Sequence, residues 1–213
     1  GVTGPGKEPG SALKGFDLKT GEGKVSAKFA GPKNFCNDMA IGPDGAVYVT
    51  NTDTPQILKL PPGGTALEVW LAEPKIKLGK GGGLDGIAFG GDGNLYVDTF
   101  GSGEFFRITL KAGAAETVTK ITTSHPLAQA DGMRPMGGTS FAMIEGVGRL
   151  DQVTVEGDKA TVTTLRDGLN GPTAVALVGD TAWVSEGQLA ALFNKKAPPK
   201  LPFSLVPTIL SKP

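Results

Sequence analysis

Hydrophobic and polar residues alternate along this chain in short runs broken by Gly, Pro and Asp, and no stretch of helical length holds an apolar period near 3.6. Runs of strand character cover residues 13–18, 25–29, 56–60, 67–71, 105–110, 117–121, 150–155, 161–165, 189–193 and 203–210. The pattern predicts an all-β fold.

One phrase returns four times. Asn37-Asp38-Met39-Ala40-Ile41-Gly42-Pro43-Asp44-Gly45-Ala46-Val47-Tyr48-Val49 is matched 48 positions on by Asp85-Gly86-Ile87-Ala88-Phe89-Gly90-Gly91-Asp92-Gly93-Asn94-Leu95-Tyr96-Val97. Asp131-Gly132-Met133 with residues 140–144 makes a third copy, 46 positions further at its Asp-Gly, and residues 173–177 with 181–184 make a fourth, 42 after that. Each copy reads as two strands joined at a Gly/Asp turn, because those residues tolerate positive φ. Two more strands follow each pair. Four strands in every ~40–48 residues is the signature of a β-propeller blade.

The 213 residues therefore predict one propeller domain over 1–213, with blades near 11–31 (a half blade), 35–74, 84–123, 131–167 and 172–210. That is about four and a half blades of a ring most simply closed with six. Gly1-Val2-Thr3-Gly4-Pro5-Gly6 has neither an initiator Met nor a leader pattern and reads as the start of a cut chain. A preceding blade is accordingly expected to be lacking, and the open end to be a surface for self-association. Pairing of the half blade with 173–185 is the alternative closure.

Composition narrows the function. Lys+Arg 21 balance Asp+Glu 21, which argues against a nucleic-acid partner, since phosphate binding needs a surplus of cations on one face. No apolar run reaches the length of a membrane span. Cys36 is the single cysteine, so neither an internal disulfide nor a Cys-based zinc site is available. The chain is expected to be soluble, whether cytoplasmic or exported. No Gly-x-Ser-x-Gly elbow marks a serine hydrolase, and Gly79-Lys80-Gly81-Gly82-Gly83 lacks the Lys-Ser/Thr ending of a phosphate loop and reads as an inter-blade loop.

Taken in order, the Asn-Asp, Pro-Asp-Gly, Asp-Gly-Ile-Ala-Phe, Asp-Gly-Met and Gly-Pro-Thr-Ala-Val phrases resemble the gluconolactonase/regucalcin (senescence-marker) family from the second blade onward. The resemblance implies a six-bladed propeller with a divalent metal (Ca, Zn, Mn or Mg) in its central channel and a lactone or sugar-acid substrate. By that resemblance Asn37 contacts substrate, Asp85 and Asp131 bind the metal, and Asp131 is the catalytic base. Asp85 departs from the family pattern, which has Asn there, and the family's first-blade Glu ligand has no counterpart. Equivalent positions of successive blades ring one end of a propeller channel, and oxygen ligands suit Ca²⁺, Mg²⁺ or Mn²⁺. A metal-dependent lactonase is thus the expected function. A non-catalytic propeller that binds a ligand or a protein, and a strictosidine-synthase-like propeller using Glu186, are the alternatives.

Blander roles compete for single residues. Asn37 and Asp38 can cap local backbone, and the Asp85-Gly86 and Asp131-Gly132 pairs can be turns. Arg134 can clamp a substrate carboxylate or sugar hydroxyls, or lie on the surface. His125, between Ser124 and Pro126, reads as a solvated loop histidine rather than a channel acid or base. Cys36 reads as an inert buried thiol, and Trp70 and Trp183 as core.

Overall fold

Strand alternation, not helix propensity, organises the described residues (10–30, 34–194, 196 and 198–210) of this computed structural model; the Gly1–Gly6 segment lies outside them. β1 (Ala12–Phe16) and β2 (Gly23–Lys28) form a hairpin. β3 (Cys36–Ile41), β4 (Val47–Asn51), β5 (Gln56–Leu60) and β6 (Glu68–Ala72) form an antiparallel meander. The same design recurs in β7 (Leu84–Phe89), β8 (Leu95–Thr99), β9 (Phe105–Lys111) and β10 (Ala114–Thr123). It recurs again in β11 (Ala130–Gly137), β12 (Ser140–Glu145), β13 (Arg149–Glu156) and β14 (Lys159–Arg166). A three-stranded sheet follows, in which β15 (Pro172–Val178) and β16 (Thr181–Glu186) are separated in sequence from β17 (Ser204–Ile209) by a short helix, α1 (Leu189–Phe193).

First strands lie in a row, with β3 against β7, β7 against β11 and β11 against β15, while each meander fans outward from its first strand. At the outer edge, Thr122 and Thr123 of β10 pair in parallel with Lys159 and Ala160 of β14, joining the second and third meanders into one eight-stranded sheet.

Apolar residues on alternate strand positions fill the spaces between sheets. Leu13, Ala27 and Phe29 of the hairpin region pack on Val49 and Leu58. Tyr48 and Ile57 pack on Leu84, Ile87 and Val97. Tyr96 and Phe105 pack on Phe141 and Met143, and Ile144 and Leu150 pack on Val175 and Val184. The recurrent Asp-Gly turns serve these cores directly. Asp44 accepts the Tyr48 hydroxyl at 3.1 Å and Asp92 accepts that of Tyr96 at 2.8 Å, so each buried ring keeps its polar end satisfied. Gly45 and Gly93, at φ 75° and 78°, supply the left-handed turn residue that a side chain would strain.

Two expectations are corrected. Residues 189–193 form α1 rather than a strand: Leu-Ala-Ala-Leu is rich in strong helix formers, and a short apolar run is ambiguous by periodicity alone. Trp183 is not core but 39% exposed. Strand alternation sends its neighbours Ala182 and Val184 inward, so the indole lies on the other face of the last sheet.

Candidate functional site

The ladder of each first strand slips near its start. The shift falls between Cys36 and Met39 in β3, Leu84 and Ile87 in β7, Ala130 and Met133 in β11, and Pro172 and Ala174 in β15. A bulge of this kind takes residues out of strict alternation and re-aims a side chain. Asn37, Asp85, Asp131 and Thr173 sit in these four irregularities, and all four line a single cavity of about 640 Å³. That volume is in the range of small-molecule sites. Thr173 is a lining residue that the sequence candidates leave out, as are Thr52 and Asp53, although its place at the head of the fourth repeat is the signal for it.

Thr52 and Asp53, just after β4, add polar groups to the lining, and the remaining walls are apolar or glycine. Phe35 and Phe100 come from loops, and Leu189 and Leu192 from α1, the segment misread as a strand. Gly81 and Gly82, read from sequence as part of a plain inter-blade loop, also face the cavity.

Nor are the Asp-Gly pairs turns. Asp85-Gly86 and Asp131-Gly132 lie inside β7 and β11, and their glycines permit close approach of the next sheet. A Cβ on Gly86 would stand 2.4 Å from both the Asp131 carbonyl and Asp98 Oδ2, and one on Gly132 would stand 3.0 Å from the Thr173 carbonyl. The bulges are held from the second strands. Thr50 Oγ1 accepts from the Asp38 N–H and donates to the Asp85 carbonyl at 2.7 Å. In the next sheet the matching Asp98 accepts the Gly86 N–H at 2.9 Å.

Buried carboxyl groups dominate the electrostatics. Asp85 is 4% exposed and Asp98 fully buried. Desolvation raises Asp85 well above its ordinary value, with the charges of Asp131 and Asp98 adding to it and the Asn37 amide partly offsetting it. Asp98 is raised by the same first cause. Asp131 is pushed up to about 7, chiefly by burial, against a bond from the Gly132 N–H at 2.8 Å. Asp85 Oδ1 is buried and has no hydrogen-bond partner. An unpartnered carboxylate oxygen beside a second carboxyl, with no Cys or His lining the same cavity, fits a hard divalent cation.

Arg134 is not among the residues lining this cavity. Its guanidinium grips Asp38 through two bonds, NH1 to Oδ2 at 2.7 Å and NH2 to Oδ1 at 3.0 Å, and so braces β11 of the third meander against β3 of the first. Asn37 is steadied by donation from its Nδ2 to Thr52 Oγ1 at 3.0 Å. Glu186 accepts the Asn170 N–H at 2.8 Å. Cys36 is buried, at 4% exposure. His125 lies in a loop with its side chain 36% exposed, and its Nε2 is 3.3 Å from Oε1 of Glu145, which is completely buried. With Asp151 these two residues bring ligating atoms within 4.8 Å of one another.

No protein-family model and no curated protein sequence matches the chain. Solved structures do resemble it in fold. A gluconolactonase from Xanthomonas campestris superposes with a TM-score of 0.64 at 17% identity, over 81% of this chain and 61% of that one. A luciferin-regenerating enzyme gives 0.65 at 15% identity, over 94% and 70%. Virginiamycin B lyase from Staphylococcus aureus gives 0.63 at 15% identity, over 81% and 55%. The chain thus spans between 55% and 70% of the length of these structures. The architecture is that of a β-propeller.

Proposed function

We propose that the chain carries the substrate channel of a gluconolactonase-like propeller, a metal-dependent hydrolase of a lactone or related small ester within the gluconolactonase/regucalcin group. One observation carries the reading. Equivalent bulges of successive sheets aim Asn37, Asp85, Asp131 and Thr173 into one cavity, and Asp85 and Asp131, two of the three carboxyls that line it, stand close enough for the charge of one to act on the other. The gluconolactonase and luciferin-regenerating-enzyme folds point the same way. The six-blade count and the limits of the blades belong to the same proposal.

In this reading Asp85 and Asp131 hold the divalent cation. Such an ion, when bound, supplies Lewis-acid polarisation of an ester carbonyl and acidifies water in the site. The chain's own residues do the rest. Asp131, ionised when it holds the cation, would take a proton from the attacking water and return it to the leaving alkoxide oxygen. Asn37, anchored on Thr52, presents its amide to the ring hydroxyls or carbonyl. Phe35, Phe100, Leu189 and Leu192 pack the carbon face of the ring and limit bulk water. Arg134 serves substrate binding through Asp38, by keeping β3 and β11 in register across the channel.

Lactone hydrolysis followed by pH-stat, with Ca²⁺, Mg²⁺, Mn²⁺ or Zn²⁺ added, tests the assignment. Turnover by the unmodified chain and a fall of at least ~10²-fold in Asp131→Asn are expected. Unimpaired turnover in that variant removes Asp131 as the base. Tight lactone binding with no turnover under any of the four ions favours the binding-only propeller instead.

A further inference from the structure

We infer that His125, Glu145 and Asp151 form a second cation site, separate from the channel, that takes a first-row divalent ion of the Zn²⁺ type. This inference does not depend on the lactonase reading.

Comparison of the repeats shows that the charges here are not demanded by the fold. Val49, Val97 and Met143 hold the same place in the second strands of the three meanders, and face Leu58, Phe106 and Asp151 across the ladder. Leu58 and Phe106 are ordinary core residues, 3% and 4% exposed. Asp151 puts a carboxylate at that position with 0% exposure, and neither of its oxygens has a hydrogen-bond partner. A buried carboxylate with no hydrogen bond and only a 3.9 Å ion pair to Arg149 Nε is costly, and a position that accepts leucine elsewhere does not need one for packing.

Glu145 tells the same story. At the matching place in the first meander, the Asn51 side-chain carbonyl accepts the Phe35 N–H at 3.0 Å and so ties down the segment leading into β3. Glu145 Oε2 does that task for the segment leading into β11 by accepting the Ala128 N–H, and it also takes Arg149 NH2 at 2.9 Å. A neutral amide suffices for the backbone bond, so the negative charge of Glu145 is surplus to it. Arg149 compensates one of the two carboxylates; its nearest approach to Asp151 is 3.9 Å, outside hydrogen-bond range.

The geometry suits an ion. Glu145 Oε2 is fixed by Ala128 and Arg149, as ligating carboxylates commonly are by outer partners, which leaves Oε1 facing His125 Nε2 at 3.3 Å. Ligands about 2.0–2.1 Å from a tetrahedral Zn²⁺ are themselves about 3.3–3.4 Å apart. One imidazole nitrogen among two carboxylates favours Zn²⁺ over Ca²⁺ or Mg²⁺. His125 also lines a separate cavity of about 340 Å³ together with Glu104 and Lys120, which provides a path for the ion from solvent. A bound ion would clasp the segment before β11 to β12 and β13.

His125 is the sole histidine of the chain, so its ring nitrogens report on this site without ambiguity in a tag-free preparation. One equivalent of Zn²⁺ is expected to move the Nε2 resonance in a long-range ¹H–¹⁵N spectrum. Asp151→Leu, which installs the residue found at position 58, is expected to fold and to weaken this response at least ~10-fold. Asp131→Asn, in the channel, is expected to leave it intact. Unchanged His125 resonances under excess Zn²⁺, or an equal response in Asp151→Leu, would overturn the inference.

Discussion

Freed of divalent cations by a chelator, the chain is expected to lose stability as pH is raised from about 5 to about 8. Asp131 keeps its proton up to about 7 in the folded state, against an ordinary value of 3.8. Between those values the native state binds more protons than the unfolded chain, so the free energy of unfolding falls as pH rises. Asp85 and Asp98, also raised by burial, act in the same direction. At ~1.36 kcal/mol per pKa unit, Asp131 alone is worth at most about 4 kcal/mol, less whatever solvent screens at its exposed edge. For a chain of this size, 1 kcal/mol corresponds to ~2–4 °C, so Tm should drop by roughly 10 °C across the window.

Groups with depressed values do not oppose the trend. Glu145 and Asp44 are pulled below their usual range, and their stabilising effect is lost only under more acidic conditions. Asp151, pushed up to about 6 mainly by burial, adds to the slope, and for that reason a variant is needed. Calorimetry in EDTA on the unmodified chain and on Asp131→Asn separates the contributions, since the amide cannot ionise and should remove from the slope the share that Asp131 contributes. Added Ca²⁺ or Mn²⁺ should restore Tm at the alkaline end, because a cation takes over the neutralising role of the proton. A chelated chain whose Tm stays level or climbs with pH, or an Asp131→Asn curve that overlays the original, would refute the reasoning.

Two further outcomes concern packing. Gly86→Ala places a methyl 2.4 Å from the Asp131 carbonyl and from Asp98 Oδ2; a loss of ~1–3 kcal/mol in urea denaturation is expected, together with weakened lactone binding, whereas a neutral effect would mean that the two sheets are not in close contact there. Phe141→Ala empties a position of 0% exposure whose ring stands 4.8 Å from that of Tyr96; it should cost ~3–5 kcal/mol, read as a lower urea midpoint at unchanged slope.

Local chemistry wrote much of this protein into its sequence. Alternating apolar residues locate the strands, and in the first two meanders Asp-Gly turns with a tyrosine four places later fix the first hairpin, because a hairpin and its buried phenol are settled within a dozen residues. The offsets of 48 and 46 between Asn37, Asp85 and Asp131 also foretell a shared cavity, because a repeated unit presents the same position to the same axis. Other features depend on contacts between units and leave no local trace. Arg134 lies near Asp131 in sequence, yet it is taken by Asp38, 96 residues away. The run 189–193 takes its place as a wall of the cavity that Phe35 and Phe100 also line, and His125 finds Glu145 only when the strand ends of the third meander come together. Periodicity records which way a side chain leaves its own strand; what it meets there is decided by the neighbouring sheet, and in this chain that neighbour determines which carboxylates stay charged and what they can hold.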